Sequence, residues 1–195
     1  TFNWKAVVDA VNILGGVDVE LSKAEFYYIN AYITETVEAT GVGSYQLKQA
    51  GLNHLDGVQA VAYARLRKMD TDFARTERQR EIIDLCFQKL KKSDFAVVNN
   101  VMEAVFPQIL SSVTIDDIIP AARNLTKYTI ADTMGFPAAR SDANMGKKGD
   151  CVIPQTLESN VIELHRFLFG EEDYQPSDMV KNISKKISAD SGLYK

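Results

Sequence analysis

Leu55-Asp56-Gly57-Val58-Gln59-Ala60-Val61-Ala62-Tyr63-Ala64-Arg65-Leu66-Arg67 sets the frame for the residues on either side of it. Asp56 supplies the short acceptor side chain of a good N-cap, so a helix is predicted from Gly57 to about Ala64. Arg65-Leu66-Arg67 then falls at the helix end or in the turn after it, free to aim two guanidinium groups into one space. Lys68–Asp72 is polar and turn-like, and Phe73–Lys91 reads as the longest helix of the chain. On that helix Arg75 and Gln79 are four residues apart, hence on one face. They sit near its amino-terminal end, where partial positive charge and unpaired N–H groups favour an anion. Ile82, Cys86 and Leu90 continue the same face as an apolar tail.

The charge of this region runs against the rest of the chain. Between Arg65 and Arg80 stand six cations, five of them arginine, against Asp70, Asp72 and Glu77, a local balance of +3 where the whole chain carries −4. Arginine is the residue suited to bidentate phosphate contacts. A cationic, hydrogen-bonding head followed by an oily tail matches the polarity of a lipid phosphate or pyrophosphate. The ordinary alternatives are a solvated Arg/Glu face and a core-packing role for Ile82, Cys86 and Leu90. Arg78 and Arg80 fall on other sides of the helix and read as surface or supporting residues. Asp70 and Asp72 read as helix caps first, and otherwise as partners that orient the arginines.

Upstream, Trp4, Val7, Val8, Val11 and Leu14 recur at three- and four-residue intervals, an amphipathic helix stopped by Gly15-Gly16. Val17, Val19 and Leu21 alternate with Asp18 and Glu20 as a half-buried strand. Ser22 followed by Glu25 is a capping box that opens a helix to about Ala39, broken by Gly41-Val42-Gly43. Downstream, helix is predicted over Phe95–Ile109, from a Thr114 cap to Leu125, over Ser159–Phe169 and over Met179–Ile187. Tyr128–Ala131 is a strand candidate, Arg140–Asp150 reads as a surface loop, and Cys151–Ile153 as an edge strand closed by Pro154. No repeat or low-complexity tract is visible. A single α/β domain over 1–195 is the expectation.

Composition narrows the function classes. The 195 residues are 46% hydrophobic and 25% charged, ordinary globular usage that argues against disorder and fibrous repeats. Apolar runs such as Val58–Ala64 are far too short to cross a bilayer. A pI of about 5.3 is a poor starting point for nucleic-acid binding. Cys86 and Cys151 make no metal-type spacing, and with only His54 and His165 beside them the residue set does not favour zinc. A Cys86–Cys151 bridge stays open as a possibility. His54 reads as part of a turn and His165 as a packing or surface residue. Asp9, on the first amphipathic helix, reads as structural. Asn124-Leu125-Thr126 and Asn182-Ile183-Ser184 fit the glycosylation sequon, a pattern short enough to arise by chance.

The stretch Leu55–Arg67, followed by Asp72-Phe73-Ala74-Arg75-Thr76-Glu77-Arg78-Gln79, resembles the signature of the LytR–CpsA–Psr family. Val8-Asp9-Ala10-Val11 with Gly15-Gly16-Val17-Asp18-Val19 is similar to that family's VDalGGV stretch, and Asn160–Phe169 and Pro176–Ile187 resemble its usual tail. The resemblance implies an α-β-α sandwich around a central mixed sheet, with an apolar pocket for a polyprenyl tail. It implies an extracytoplasmic, membrane-anchored enzyme of mainly Gram-positive bacteria. Such an enzyme moves an anionic glycopolymer, of teichoic acid or capsule type, from a polyprenyl pyrophosphate carrier to peptidoglycan, at the C6 hydroxyl of N-acetylmuramic acid, with magnesium at the pyrophosphate.

Carried over residue by residue, the resemblance makes Arg65 and Arg67 the paired catalytic and pyrophosphate arginines. It assigns substrate contacts to Arg75 and Gln79, with Ile82 and Cys86 toward the lipid tail. The family's remaining active-site arginine, its metal-binding aspartates and its membrane anchor belong to sequence before Thr1. The expectation is therefore a carboxy-terminal portion of the catalytic domain, lacking its first strands, without metal ligands of its own and inactive by itself. A non-catalytic polyprenyl-phosphate binder is one alternative. A nucleic-acid-binding transcriptional regulator is another, and the acidic balance and the lack of a helix-turn-helix pattern speak against it.

Overall fold

In the computed structural model, which describes residues 3–68 and 72–194, Asn3 accepts the Ala6 amide at 2.8 Å and so caps the first helix, α1 (Trp4–Ile13). Gly15 and Gly16 end it with φ of +74° and +80°. At Gly16 more than the dihedral requires glycine. A Cβ there would stand 2.6 Å from His54 Nε2 and 2.7 Å from the Leu55 carbonyl oxygen. Strand β1 (Val17–Leu21) follows, with Val17, Val19 and Leu21 buried and Asp18 and Glu20 exposed, the alternation a one-sided strand needs. Helix α2 (Lys23–Thr40) opens on the reciprocal Ser22–Glu25 capping box and closes at Gly41, φ +70°.

Strand β2 (Gly51–Leu55) runs antiparallel to β1, from Val17 opposite Leu55 to Leu21 opposite Gly51. Asp56 then starts helix α3 (Gly57–Arg65) with a second capping box. The Gln59 amide donates to Asp56, and the Asp56 amide donates to the Gln59 side chain, each at 2.9 Å. Every residue of α3 from Gly57 to Tyr63 is buried, as expected of a helix that core elements surround. Its first turn sits directly on α1: a Cβ on Gly57 would fall 2.1 Å from the Val8 carbonyl oxygen, so no other residue fits without moving a helix. The Gly57 amide also donates to Asn12 Oδ1 at 2.7 Å.

Helix α4 (Asp72–Lys92) is the longest, followed by α5 (Phe95–Val105) and, after the predicted Thr114 cap, α6 (Ile115–Arg123). One core gathers Val8, Val11, Val17, Val19, Leu21, Ile29, Ile33, Leu55, the α3 residues Val58–Tyr63 other than Gln59, Leu66 and Ile82. All of this belongs to the first of two compact units, 1–129.

The second unit, 130–195, is built from an antiparallel hairpin, β3 (Arg140–Asn144) with β4 (Asp150–Pro154), and helices α7 (Leu157–Phe169) and α8 (Asp178–Ser191). Asn160, 2% exposed, holds it together by accepting the Ala139 amide and donating to the Ala139 and Thr156 carbonyls. Ser184 of α8 accepts the amides of Leu157 and Glu158 at the head of α7.

The α/β class holds, with strands paired as two antiparallel two-stranded sheets among the described residues. Three local expectations do not. Gly51–Leu55 is a strand that the alternation does not announce, because Leu52 faces outward at 67% exposure and Asn53 and His54 are weak strand formers. Arg140–Asp150 is no plain loop: its first half forms strand β3, and Gly146 and Gly149, at φ +62° and +73°, turn the chain into β4, which contains the expected Cys151–Ile153 strand. Tyr128–Ala131 is not a strand, since it pairs with none among the described residues, and Tyr128 and Ile130 are exposed.

Candidate functional site

Arg65 is the last residue of α3, and four groups fix its side chain. Nη1 donates to Thr36 Oγ1 at 2.8 Å, and Nη2 meets Glu35 Oε2 at 3.2 Å. The guanidinium lies 3.7 Å from the centre of the Trp4 ring and 5.7 Å from that of Tyr32. Thr36 is fully buried and gives its own proton to the Tyr32 carbonyl, so its oxygen faces Arg65 as an acceptor. The two hydrogen bonds use two of the five N–H groups of the guanidinium, and 19% of the side chain remains exposed. A cation held this way between an indole face and α2 is ordered before any anion arrives. A cleft of about 480 Å³, lined by Asn3, Trp4, Lys5, Ala39 and Thr40, opens beside Trp4.

Leu66 ends the helix with extended backbone, φ −51° and ψ 129°, and is fully buried, which throws Arg67 outward into solvent. From α4, Gln79 donates to the Ala64 carbonyl at 3.3 Å, so it sits against the same helix end as Arg65. Arg75, one turn earlier on α4, is half-buried. Asp70 and the side chain of Asp72 lie outside the described residues.

Ile82 is 3% exposed within the core, and Cys86 packs against that core half-buried, both in the positions of packing residues. Burial pushes the Cys86 thiol above its ordinary range, only partly offset by Lys89. Both cysteines are free thiols.

Of the two readings of Arg78, surface or supporting, its burial excludes the first. Arg78 is 5% exposed, donating to the Leu66 carbonyl at 2.6 Å and pairing with Glu25 at 3.5 Å. Tyr63 lies close by and donates to Glu81 at 2.7 Å. Its phenol is pushed far above the usual tyrosine range by burial first, then by the Glu81 hydrogen bond and the Glu25 and Glu81 charges.

The histidines are structural. His54, in β2 rather than a turn, faces Asp18 Oδ1 at 2.6 Å and the Gly15 carbonyl at 2.9 Å, and His165 stacks on Tyr174 at 3.4 Å. Asp9 is held by Lys5 at 2.6 Å and Gln108 at 2.7 Å. Burial pushes its carboxyl up, but those hydrogen bonds and the Lys5 charge together outweigh it and hold the group below its ordinary value.

Among the described residues no three His, Cys, Asp or Glu side chains come together to hold a metal ion. No helix of the described residues is long and apolar enough to cross a membrane.

Comparison with known proteins bears on the arginine motif. The model of the LytR_cpsA_psr family matches residues 1–146. An uncharacterised protein of Staphylococcus aureus is 33% identical over 122 residues, 62% of this chain and 28% of that protein. The polyisoprenyl-teichoic acid–peptidoglycan teichoic acid transferase TagT of Bacillus subtilis is 28% identical over 60% of this chain and 34% of its own length. Among solved structures, B. subtilis TagV superposes with a TM-score of 0.62 at 22% identity, covering 90% of this chain and 64% of that one. TagT bound to LIIa-WTA superposes with a TM-score of 0.53 at 21% identity, covering 98% and 60%. These superpositions are likenesses of fold. The chain spans about a third of the length of the curated relatives named here.

Proposed function

From the premise that this chain belongs to the LytR_cpsA_psr family, we propose that the end of α3 receives the pyrophosphate of a polyprenyl-linked anionic glycopolymer. The whole protein would transfer that polymer to peptidoglycan on the extracytoplasmic side of the membrane. The observation that carries the reading is Arg65, fixed over Trp4 and against Thr36 with N–H groups to spare, beside Gln79 on the same helix end. Two of the relatives named above, TagT and TagV, being teichoic acid transferases supports the polymer class.

In the proposed reaction an acceptor hydroxyl oxygen bonds to the polymer-bearing phosphorus. The bridging P–O bond breaks, and polyprenyl phosphate leaves carrying the hydroxyl proton. Charge grows on the departing phosphate. Arg65 and Arg67 neutralise it, Arg75 and Gln79 hold the remaining oxygens, and the electrostatic gain is the main contribution a protein makes to such a transfer. Ile82 and Cys86 belong to the apolar interior that the prenyl tail would enter. Magnesium, by family resemblance, would be held by residues outside those described, as would the membrane anchor, and no step assigned to this chain passes through either.

The test is mass spectrometry of organic extracts of the purified protein beside Arg65→Ala/Arg67→Ala. Polyprenyl phosphate or pyrophosphate on the parent and none on the variant is the expected result. In the full-length enzyme each arginine lost costs transfer roughly 10²- to 10³-fold. A parent that carries no lipid as purified, and takes up no geranylgeranyl diphosphate when offered it, would overturn the reading.

A further inference from the structure

Among the residues around the pyrophosphate arginines, one buried cation faces a backbone atom instead of a ligand. The Leu66 carbonyl belongs to the peptide joining Leu66 to Arg67, immediately past the end of α3. Carbonyls at a helix end lack intrahelical partners, and a buried one needs a donor from elsewhere. Arg78 Nη2 supplies it at 2.6 Å, a short charge-assisted bond. The other end of the same guanidinium, Nη1, pairs with Glu25 Oε1 at 3.5 Å, and Glu25 is 14% exposed in its side chain. Glu25 in turn accepts the Ser22 amide at 2.9 Å in the box that begins α2. One planar group thus ties the head of α2 to the carbonyl between the two arginines. On its sequence neighbour, Gln79 reaches the Ala64 carbonyl on the other side of Arg65.

We propose that Arg78 is a positioning residue for the pyrophosphate site: by gripping the Leu66 carbonyl it fixes the peptide plane from which Arg67 projects, relative to the already fixed Arg65. This rests on the reading of Arg65 and Arg67 given above, and Arg78 itself touches no ligand. The chemistry selects arginine. A lysine keeps the charge, but its single ammonium cannot serve a backbone carbonyl and a carboxylate with the fixed fork of a guanidinium. The burial of a full charge is otherwise costly, and its pairing with Glu25 offsets that cost without explaining why the second nitrogen meets a backbone oxygen.

Two measurements on Arg78→Lys test it. The first needs no ligand. The Leu66 carbonyl carbon resonance should move, and the Arg67 amide order parameter should fall from rigid values of about 0.85 toward 0.6, with α1 and α2 unchanged. An Arg67 amide as rigid as the parent's overturns the proposal.

The second is affinity for geranylgeranyl diphosphate. Arg78→Lys should weaken it roughly ten- to a hundredfold in the parent, and by no more than about twofold when Arg67 is already alanine. Equal losses in both backgrounds mean that Arg78 acts only on overall stability, and overturn the proposal. A parent that does not bind the probe overturns the pyrophosphate reading instead, while the order parameter still decides whether Arg78 positions Arg67. Should Arg78→Lys fail to fold, Glu25→Gln takes its place, since glutamine preserves the capping box and removes the charge Arg78 leans on. The same two signals then shift together or the proposal fails.

Discussion

At the scale of single residues, burial separates side chains that the sequence makes look alike. Arg65, Arg67, Arg75 and Arg78 share a chemistry, yet Arg67 faces solvent and Arg78 is 5% exposed. Helical spacing could place Arg78 off the face of Arg75 and Gln79, but not reveal that the Leu66 carbonyl, just past the end of α3, waits on that side. The place of Arg65 at a helix end was legible, because the Asp56 cap and the following polar turn mark it. Cys86 was legible as part of an apolar helix face with Ile82, and it packs half-buried against the core. Because its thiol is pushed up by burial, little thiolate exists near neutral pH. In a Cys151→Ser background Cys86 should react with an aromatic disulfide at least about tenfold more slowly than in denaturant; equal rates would contradict the packing described here. Asp9 gives a pH prediction with a definite sign. Its folded carboxyl titrates below the unfolded one, so its stabilisation is present above the ordinary carboxylate range and is lost as pH falls through the folded value. Denaturant titrations at about pH 6 and pH 3 should therefore show a smaller loss for Asp9→Asn than for the parent.

At the scale of elements, what could be read from sequence was what local chemistry fixes. The Ser22 and Thr114 boxes and the Asp56 cap each place a helix start, because the donor and acceptor are within three residues of one another. The strand Cys151–Ile153 was legible from its apolar run and closing Pro154, whereas β2 and β3 were hidden, because their residues are mostly polar or outward-facing and their identity comes from the strands they pair with. The converse held for Tyr128–Ala131, where β-branched and aromatic residues find no strand to pair with among those described. Gly57 shows the same limit: its glycine reads as part of a helix start, while the reason for it is the α1 backbone at Val8. Gly57→Ala places a methyl 2.1 Å from the Val8 oxygen. It should cost about 2–4 kcal/mol in denaturant unfolding, whereas the same change at Gly43, where a Cβ meets nothing, should cost under about 1 kcal/mol.

At the scale of the whole molecule, apolar burial is unevenly shared. Of the buried hydrophobic residues described, Ile153 alone belongs to 130–195, and the others belong to 1–129. Local opening costs least where few apolar contacts break. Amide exchange should be slowest in α3, and faster by a factor of 10 or more in β3, β4 and α7; uniform protection across the chain would contradict this division. The crossing of α1 and α3 carries a mechanical consequence. Val8 and Gly57 meet backbone to backbone, with Trp4 one turn away on the first helix and Arg65 eight residues along the second. They form a fulcrum with no side chain as cushion, and the arm from Gly57 to Arg65 is about 12 Å long. A wedge tilting α3 by about five degrees swings Arg65 by roughly 1 Å, and displacements of that size are enough to spoil the aim of a reacting or binding group. If the end of α3 receives a pyrophosphate as proposed, a single methyl two turns away would thus silence that site while leaving every charge in place.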